Sequence, residues 1–90
     1  MWFVYILRCE DGSLYTGITT DLARRFKQHV EKTGARYTRS HTVAECVYTE
    51  TCASRSAALI REAAIKKLSR AEKLACISGA QAPLGQNIEK

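Results

Sequence analysis

Tyr5 and Tyr15 stand in two β-branched, aromatic-rich runs, with Gly17 two residues after the second tyrosine. A phenol donates and accepts hydrogen bonds and, once deprotonated, is a base. A glycine inside a strand costs stability and often marks a close approach. Asp21, Arg25 and His29 then recur at i, i+4 and i+8, beside an apolar stripe of Leu22, Phe26 and Val30. A guanidinium is a planar fork suited to phosphate or carboxylate, and an imidazole changes charge near neutral pH. Further along, Glu62 is the only acid between Ser54 and Leu68, among Ala58, Leu59 and Ile65. A carboxylate on such a helix needs a partner, either an arginine in a structural ion pair or a hard cation in a site. Its neighbour Arg61 falls inside the apolar arc, which the pattern alone does not explain.

The elements that must position these groups can be read from periodicity and turn chemistry. Residues 3–9 and 14–19 read as strands, and Asp11-Gly12 between them is a strong hairpin signal. A two-residue Asp11-Gly12 loop would put the two phenols on opposite faces. A three-residue Glu10-Asp11-Gly12 loop, with Gly12 left-handed, would set Leu7 opposite Tyr15 and Tyr5 opposite Gly17, on one side. Ordinary core or rim packing of two strand tyrosines is the commoner arrangement in general.

Thr20-Asp21 caps an amphipathic helix over 21–32 whose buried stripe is Leu22, Phe26 and Val30, with Gly34 as its stop. A polar, basic loop spans 34–43. Residues 44–52 read as a third strand in which Cys46, Tyr48 and Cys52 share the parity of Ala44. Ser54–Leu68 is an Ala-rich helix, and Ser69 with Glu72 forms a capping box for a short helix ending at Gly79. Residues 80–90, with Pro83 and Gly85, read as a frayed tail. The order ββαβαα gives an α+β fold, a small three-stranded antiparallel sheet with flanking helices, in one domain over 1–79.

The net charge of +5 is concentrated. Residues 24–41 carry Arg24, Arg25, Lys27, Lys32, Arg36 and Arg39 against the single acid Glu31, and the remainder balances. One basic segment on a neutral body suits a polyanion, most commonly a phosphate backbone. A solvated helix face is the plainer alternative. His29 and His41 lie in the same window and would add to its charge below neutral pH. No run is long and apolar enough for a membrane span. The apolar start Met1–Leu7 lacks the basic region of a signal peptide, so a cytoplasmic location and four reduced, mostly buried cysteines (Cys9, Cys46, Cys52, Cys76) are expected. There is no C-x-x-C pair, phosphate-binding glycine loop or H-E-x-x-H.

Phe3-Val4-Tyr5 and Tyr15-Thr16-Gly17 resemble the two half-motifs of the GIY-YIG nuclease superfamily. The helix from Asp21 to His29 resembles that family's first helix, with Arg25 and His29 on the matching positions. Arg61-Glu62-Ala63 resembles the segment carrying its metal-binding glutamate. The likeness spans about residues 2–70 and is nearest to small, single-domain members related to structure-specific flap and junction nucleases. Thr16 replaces the family's isoleucine, and Ile18 stands where excision-repair members carry a lysine.

The resemblance implies phosphodiester hydrolysis in DNA, with RNA left open. Mg²⁺ or Mn²⁺ would sit on Glu62, Arg25 would clamp phosphate, and Tyr5 or Tyr15 would take a proton from water. His29 would position water, shuttle a proton or bind phosphate. Arg24, Lys27, Lys32, Arg36 and Arg39 would contact the backbone, and a partner protein or a homodimer could complete the unit. A phenol near its ordinary pKa of ~10 must drop about three units to act near neutrality, roughly 4 kcal/mol. Arg25 and a bound cation are the evident sources. Two other readings stand beside this one: a nucleic-acid-binding module with little or no cleavage, and a structural or protein-interaction domain in which Glu62 pairs with Arg25.

Overall fold

A computed structural model describes residues 1–32 and 40–81. Strands β1 (Trp2–Cys9), β2 (Leu14–Thr19) and β3 (Val43–Cys52) form an antiparallel sheet in the order β2-β1-β3. Helix α1 (Leu22–Val30) follows β2. Helices α2 (Arg55–Lys66) and α3 (Arg70–Gln81) follow β3. This is the α+β order ββαβαα expected from the sequence.

The hairpin takes the three-residue option. Cys9 N–H donates to the Ser13 carbonyl, Gly12 N–H donates to the Cys9 carbonyl, and Gly12 is left-handed at φ 87°. Asp11 accepts from the Ser13 amide and hydroxyl, an Asx turn that locks the loop. Leu7 therefore pairs with Tyr15 and Tyr5 with Gly17. The loop fixes the register, and a slip of one residue would have reversed every side chain of β2.

One face of β1 carries Val4 and Ile6, which pack with Tyr48, Ala58 and Ile65 as the main core under α2 and α3. Val4, Ile6, Ala58 and Ile65 are fully buried. Each large aliphatic there contributes ~1.5–3 kcal/mol of transfer free energy. Arg61 is explained by this face: its Nε donates to both Glu50 oxygens at 2.9 and 3.0 Å, and Tyr48 donates to the same carboxylate at 2.5 Å. The arginine fastens α2 to β3.

The other face of β1 carries Tyr5, Leu7 and Cys9, and α1 lies over it. β3 departs from simple alternation here. Ile6 pairs with Tyr48 but Leu7 pairs with Cys46, so Val47 is an extra, bulged residue. Cys46 thus lies on the α1 side, opposite to Tyr48, and the shared parity expected for the two is broken.

Helix ends differ in detail from expectation. Asp21 caps α1 by accepting from Arg24 N–H, but the helix stops at Val30, and Lys32 takes the left-handed position at φ 64°. Gly34 lies outside the described residues. Ser69 and Glu72 form the reciprocal capping box, with bonds of 2.8 and 3.2 Å, and α3 runs past Gly79 to Gln81. A helical glycine costs only ~1 kcal/mol against alanine, too little to stop a capped helix. Of the cysteines only Cys9 is buried; Cys52 and Cys76 are half-buried, Cys46 is exposed, and all four are unbridged. No helix among the described residues is long and apolar enough to cross a membrane.

Candidate active site

The three-residue hairpin loop sets both tyrosines on the α1 side, with the Tyr5 and Tyr15 ring centroids 6.3 Å apart. Gly17 faces Tyr5 across the strands, and the phenol lies over it. A Cβ on Gly17 would sit 2.5 Å from the Tyr5 Oη, 2.7 Å from its Cζ and 3.1 Å from Tyr15 Cε2. The requirement is for space, since the Gly17 backbone is not left-handed. Tyr5 is only 2% exposed and has little room to yield. Gly17→Ala is expected to destabilise the domain by about 1–3 kcal/mol. It should also detach Tyr5 from its partner, read by urea unfolding and by the His29 ring NMR signals.

That partner is His29. Its Nε2 lies 2.8 Å from the Tyr5 Oη, and its ring is 5.1 Å from that of Tyr15. Here the helix stripe corrects expectation: His29 is 1% exposed whereas Val30 is 49% exposed. The face of α1 that meets the sheet is Leu22, Phe26 and His29. The sheet surface beneath offers a hydroxyl, so a polar ring that can bond it is buried in preference to a terminal valine. Arg25, one turn before His29, is half-buried and donates from Nη1 to Gln28 Oε1 at 3.0 Å.

Burial pushes the Tyr5 phenol up to about 12; the Arg25 guanidinium pulls it down, while Tyr15 and Glu62 add to the rise. The depression toward neutrality expected from the sequence is therefore not present in the resting site, because burial outweighs one guanidinium. Burial also brings His29 down to about 4, helped by repulsion from Arg25. His29 is thus neutral at pH 7 and does not add to the basic window on mild acidification.

This has a consequence for stability. The unfolded chain protonates His29 near 6.5, but the folded chain resists until about 4. The contribution is complete above pH 6.5 and is lost as pH falls through the window down to 4. Wild type is expected to lose about 2 kcal/mol between pH 7 and 4.5 that His29→Gln does not lose, measured by urea unfolding at both pH values.

Glu62 comes from α2, on the opposite face of the sheet, and its charge is felt at the Tyr5 phenol. Its side chain is 18% exposed and pairs with Lys66 Nζ at 3.3 Å, one turn on. The structural pairing of Glu62 with Arg25 is therefore replaced by a local i,i+4 pair. Among the described residues no three His, Cys, Asp or Glu side chains gather as a ready metal cage. A single partly shielded carboxylate whose charge reaches the Tyr5 phenol fits Mg²⁺ or Mn²⁺, which keep most of their waters and use one or two carboxylates plus substrate oxygens.

Arg24, Lys27 and Lys32 are exposed on or just after α1. Arg36 and Arg39 lie outside the described residues. Sequence reasoning missed Gln28 and Lys66, the partners of Arg25 and Glu62. Both were signalled by spacings of three and four residues on a helix.

Comparison with known proteins shows the family and the fold. The GIY-YIG catalytic domain matches residues 1–75. A UPF0213 protein of Desulfotalea psychrophila is 52% identical over 81 residues, covering 89% of this chain and 74% of that protein. A UPF0213 protein of Cupriavidus pinatubonensis is 45% identical over 82 residues, covering 91% of each. The solution NMR structure of a UPF0213 protein of Bacillus halodurans superposes with a TM-score of 0.56 at 41% identity, over 93% of this chain and 90% of that one. With the tyrosine hairpin, the Arg25–His29 helix and a domain match over most of its length, this chain belongs to the GIY-YIG family, among its UPF0213 relatives.

Proposed function

We propose that the chain is a divalent-metal-dependent endonuclease that hydrolyses phosphodiester bonds in DNA. The observation that carries the reading is the Tyr5–His29 hydrogen bond of 2.8 Å, seated over Gly17 with Arg25 beside it. Family members are in general endonucleases, and the basic face of α1 suits a phosphate backbone.

Arg25 holds a non-bridging phosphate oxygen with its fork. With its proton on Nδ1, His29 accepts from the Tyr5 hydroxyl through Nε2. Tyr5 then takes a proton from the attacking water while passing its own to Nε2, so no free phenolate is needed. This relay removes the demand for a phenol pKa near 7. Arg25 depresses His29 by charge repulsion, and a phosphate on Arg25 offsets that repulsion. Substrate binding therefore makes His29 a better acceptor at the moment it is needed. Water oxygen bonds to phosphorus, the opposite P–O bond breaks, and the leaving oxygen is reprotonated from solvent. Glu62 would hold a divalent cation, Mg²⁺ or Mn²⁺, which would supply Lewis-acid polarisation of a phosphoryl oxygen.

The test is nicking of plasmid and branched DNA in Mg²⁺ or Mn²⁺ with two arginine variants. Arg25→Ala is expected to lower the rate at saturation by ~10²–10³-fold. Arg24→Ala is expected to keep the saturated rate, weaken binding and reduce the salt slope by about one. Equal effects of the two would overturn the assignment of Arg25. A wild type that binds DNA with a normal salt slope but never nicks it would favour the second reading, a binding module. The observation behind that alternative is the resting pair of titrations, about 12 for Tyr5 and about 4 for His29, which leaves neither member of that hydrogen bond poised near neutrality before substrate arrives.

A further inference from the structure

β3 lies at one edge of the sheet, and an edge strand turns the N–H and C=O of every second residue outward, where another strand can take them. Its two halves differ. The Val47 bulge and the shift between Arg8 and Cys9 disrupt the first half, a common guard against edge pairing. The second half, Tyr48 to Cys52, pairs regularly with β1, from Ile6 opposite Tyr48 to Trp2 opposite Cys52. This half holds no proline and no lysine, and among the described residues no strand lies outside it.

Helix α2 widens the same edge. Ala57, Ile60 and Ala64 recur at i, i+3 and i+7 and form one flank of the helix. With Glu50, Thr51 and Arg61 they line an open groove of about 490 Å³. Ile60 is 70% exposed, an aliphatic side chain left in water beside an unguarded strand.

The charges select the occupant. β3 carries two acids, Glu45 and Glu50, and each is already paired inside the chain, with Arg8 and with Arg61. Two copies of this strand therefore meet without like-charge repulsion across the edge. The charged residues of the groove, Glu50 and Arg61, neutralise each other, so a charged foreign segment finds no anchor there. A neutral strand beside an apolar helix flank is complementary to itself.

We propose that this face is a self-association surface. A second copy of the chain adds its Tyr48–Cys52 segment antiparallel to the first, across a two-fold axis, and the two sheets become one of six strands. The axis stands perpendicular to the sheet, so both copies of α2 lie on one face with their apolar flanks turned together. Both copies of α1 lie on the other face. Glu62 and Lys66 project from the flank of α2 away from the contact, so the inference stands apart from the nuclease reading. The contact is small against the roughly 20–30 residues a side of a standard interface, so the dimer is weak, with a Kd on the order of 10–100 µM.

The test is sedimentation equilibrium of the full chain, without nucleic acid or metal, from about 1 µM to about 1 mM. Wild type is expected to pass from monomer to dimer across that range, with the Tyr48–Cys52 amide NMR signals shifting in step. Raising salt from ~0.05 to ~0.5 M should tighten the dimer, because it screens repulsion between two chains of net charge +5. Ile60→Glu and Thr51→Lys should each weaken it at least ~10-fold, and circular dichroism identifies any variant that fails to fold. Mixing Ile60→Glu with Ile60→Lys should restore association, because the two-fold sets these side chains against each other. Leu74→Glu, at an exposed aliphatic on α3 outside the groove, should leave the dimer unchanged. A chain that stays monomeric to about 1 mM overturns the proposal and leaves the groove to a different protein. A dimer that survives in folded Ile60→Glu and Thr51→Lys, or that Leu74→Glu breaks, is joined elsewhere and overturns it too. So does a dimer that salt dissolves, which charge would hold rather than strand and helix flank. Failure of the mixed variants to associate overturns the two-fold arrangement.

Discussion

Glu62→Gln is expected to lower cleavage of branched or plasmid DNA in Mg²⁺ or Mn²⁺ by at least ~10²-fold, the scale for losing one group that stabilises transition-state charge. The amide keeps the shape of the carboxylate and removes its charge. The substitution is clean structurally, since the one ion pair it breaks is the i,i+4 contact with Lys66, worth ~0.3–0.5 kcal/mol. Stability should therefore stay within about 0.5 kcal/mol of wild type, and lost activity cannot be traced to unfolding. The effect on activity is large because no replacement is at hand: among the described residues no cluster of three ligating side chains exists. Cleavage that persists unchanged in Glu62→Gln would move the metal anchor away from α2. A metal titration followed by the NMR signal of the Glu62 side chain checks the same assignment without turnover.

Tyr5→Phe carries the second large effect, and it acts on both activity and stability. Removing the hydroxyl takes away the group that would accept the water proton, a contribution of ~10²–10⁴-fold for general acid–base catalysis. It also strips His29 Nε2 of its 2.8 Å partner inside a site where His29 is 1% exposed. An unsatisfied buried polar group costs about 1–3 kcal/mol, so the urea midpoint should fall as well. Tyr15→Phe is the control. Tyr15 is half-buried, and its ring packs on His29 without displacing the Tyr5 bond. If Tyr15→Phe loses cleavage and Tyr5→Phe does not, the proton acceptor is the other phenol and the relay through His29 is wrong. A difference also emerges with pH. With the relay intact, cleavage should not require a phenolate and should stay active well below pH 10. A rate that climbs tenfold per pH unit toward 12 would show direct ionisation of Tyr5 instead.

Much of this arrangement was legible in the chain, for reasons that can be named. Strong local rules located the hairpin at Asp11-Gly12, the N-cap at Asp21, and the reciprocal Ser69–Glu72 box, because each is satisfied within a few residues. Spacing along a helix put Arg25 and His29 on one side of α1, whatever that helix touched.

What failed was anything decided by a distant partner. Pattern alone placed Val30 in the buried stripe, yet His29 is buried because a phenol on β1 waits for it. Alternation put Cys46 with Tyr48, yet one extra residue on β3 separates them, and no local rule announces a bulge. Arg61 looked misplaced until Glu50, eleven residues earlier, accepted both of its bonds. The charge arithmetic suggested a lowered phenol, whereas burial under α1 outweighs Arg25 and raises it to about 12.

The residues by themselves therefore determined the element order, the basic face and the identity of the groups available for chemistry, since those follow from short-range sterics, hydrogen bonding and periodicity. Tertiary structure alone decided which phenol meets the imidazole, how both titrate, and that an apolar flank of α2 lies beside the second half of β3. The reason is physical: desolvation and close contact depend on what the folded chain brings from far away, and no stretch of a few residues contains that information.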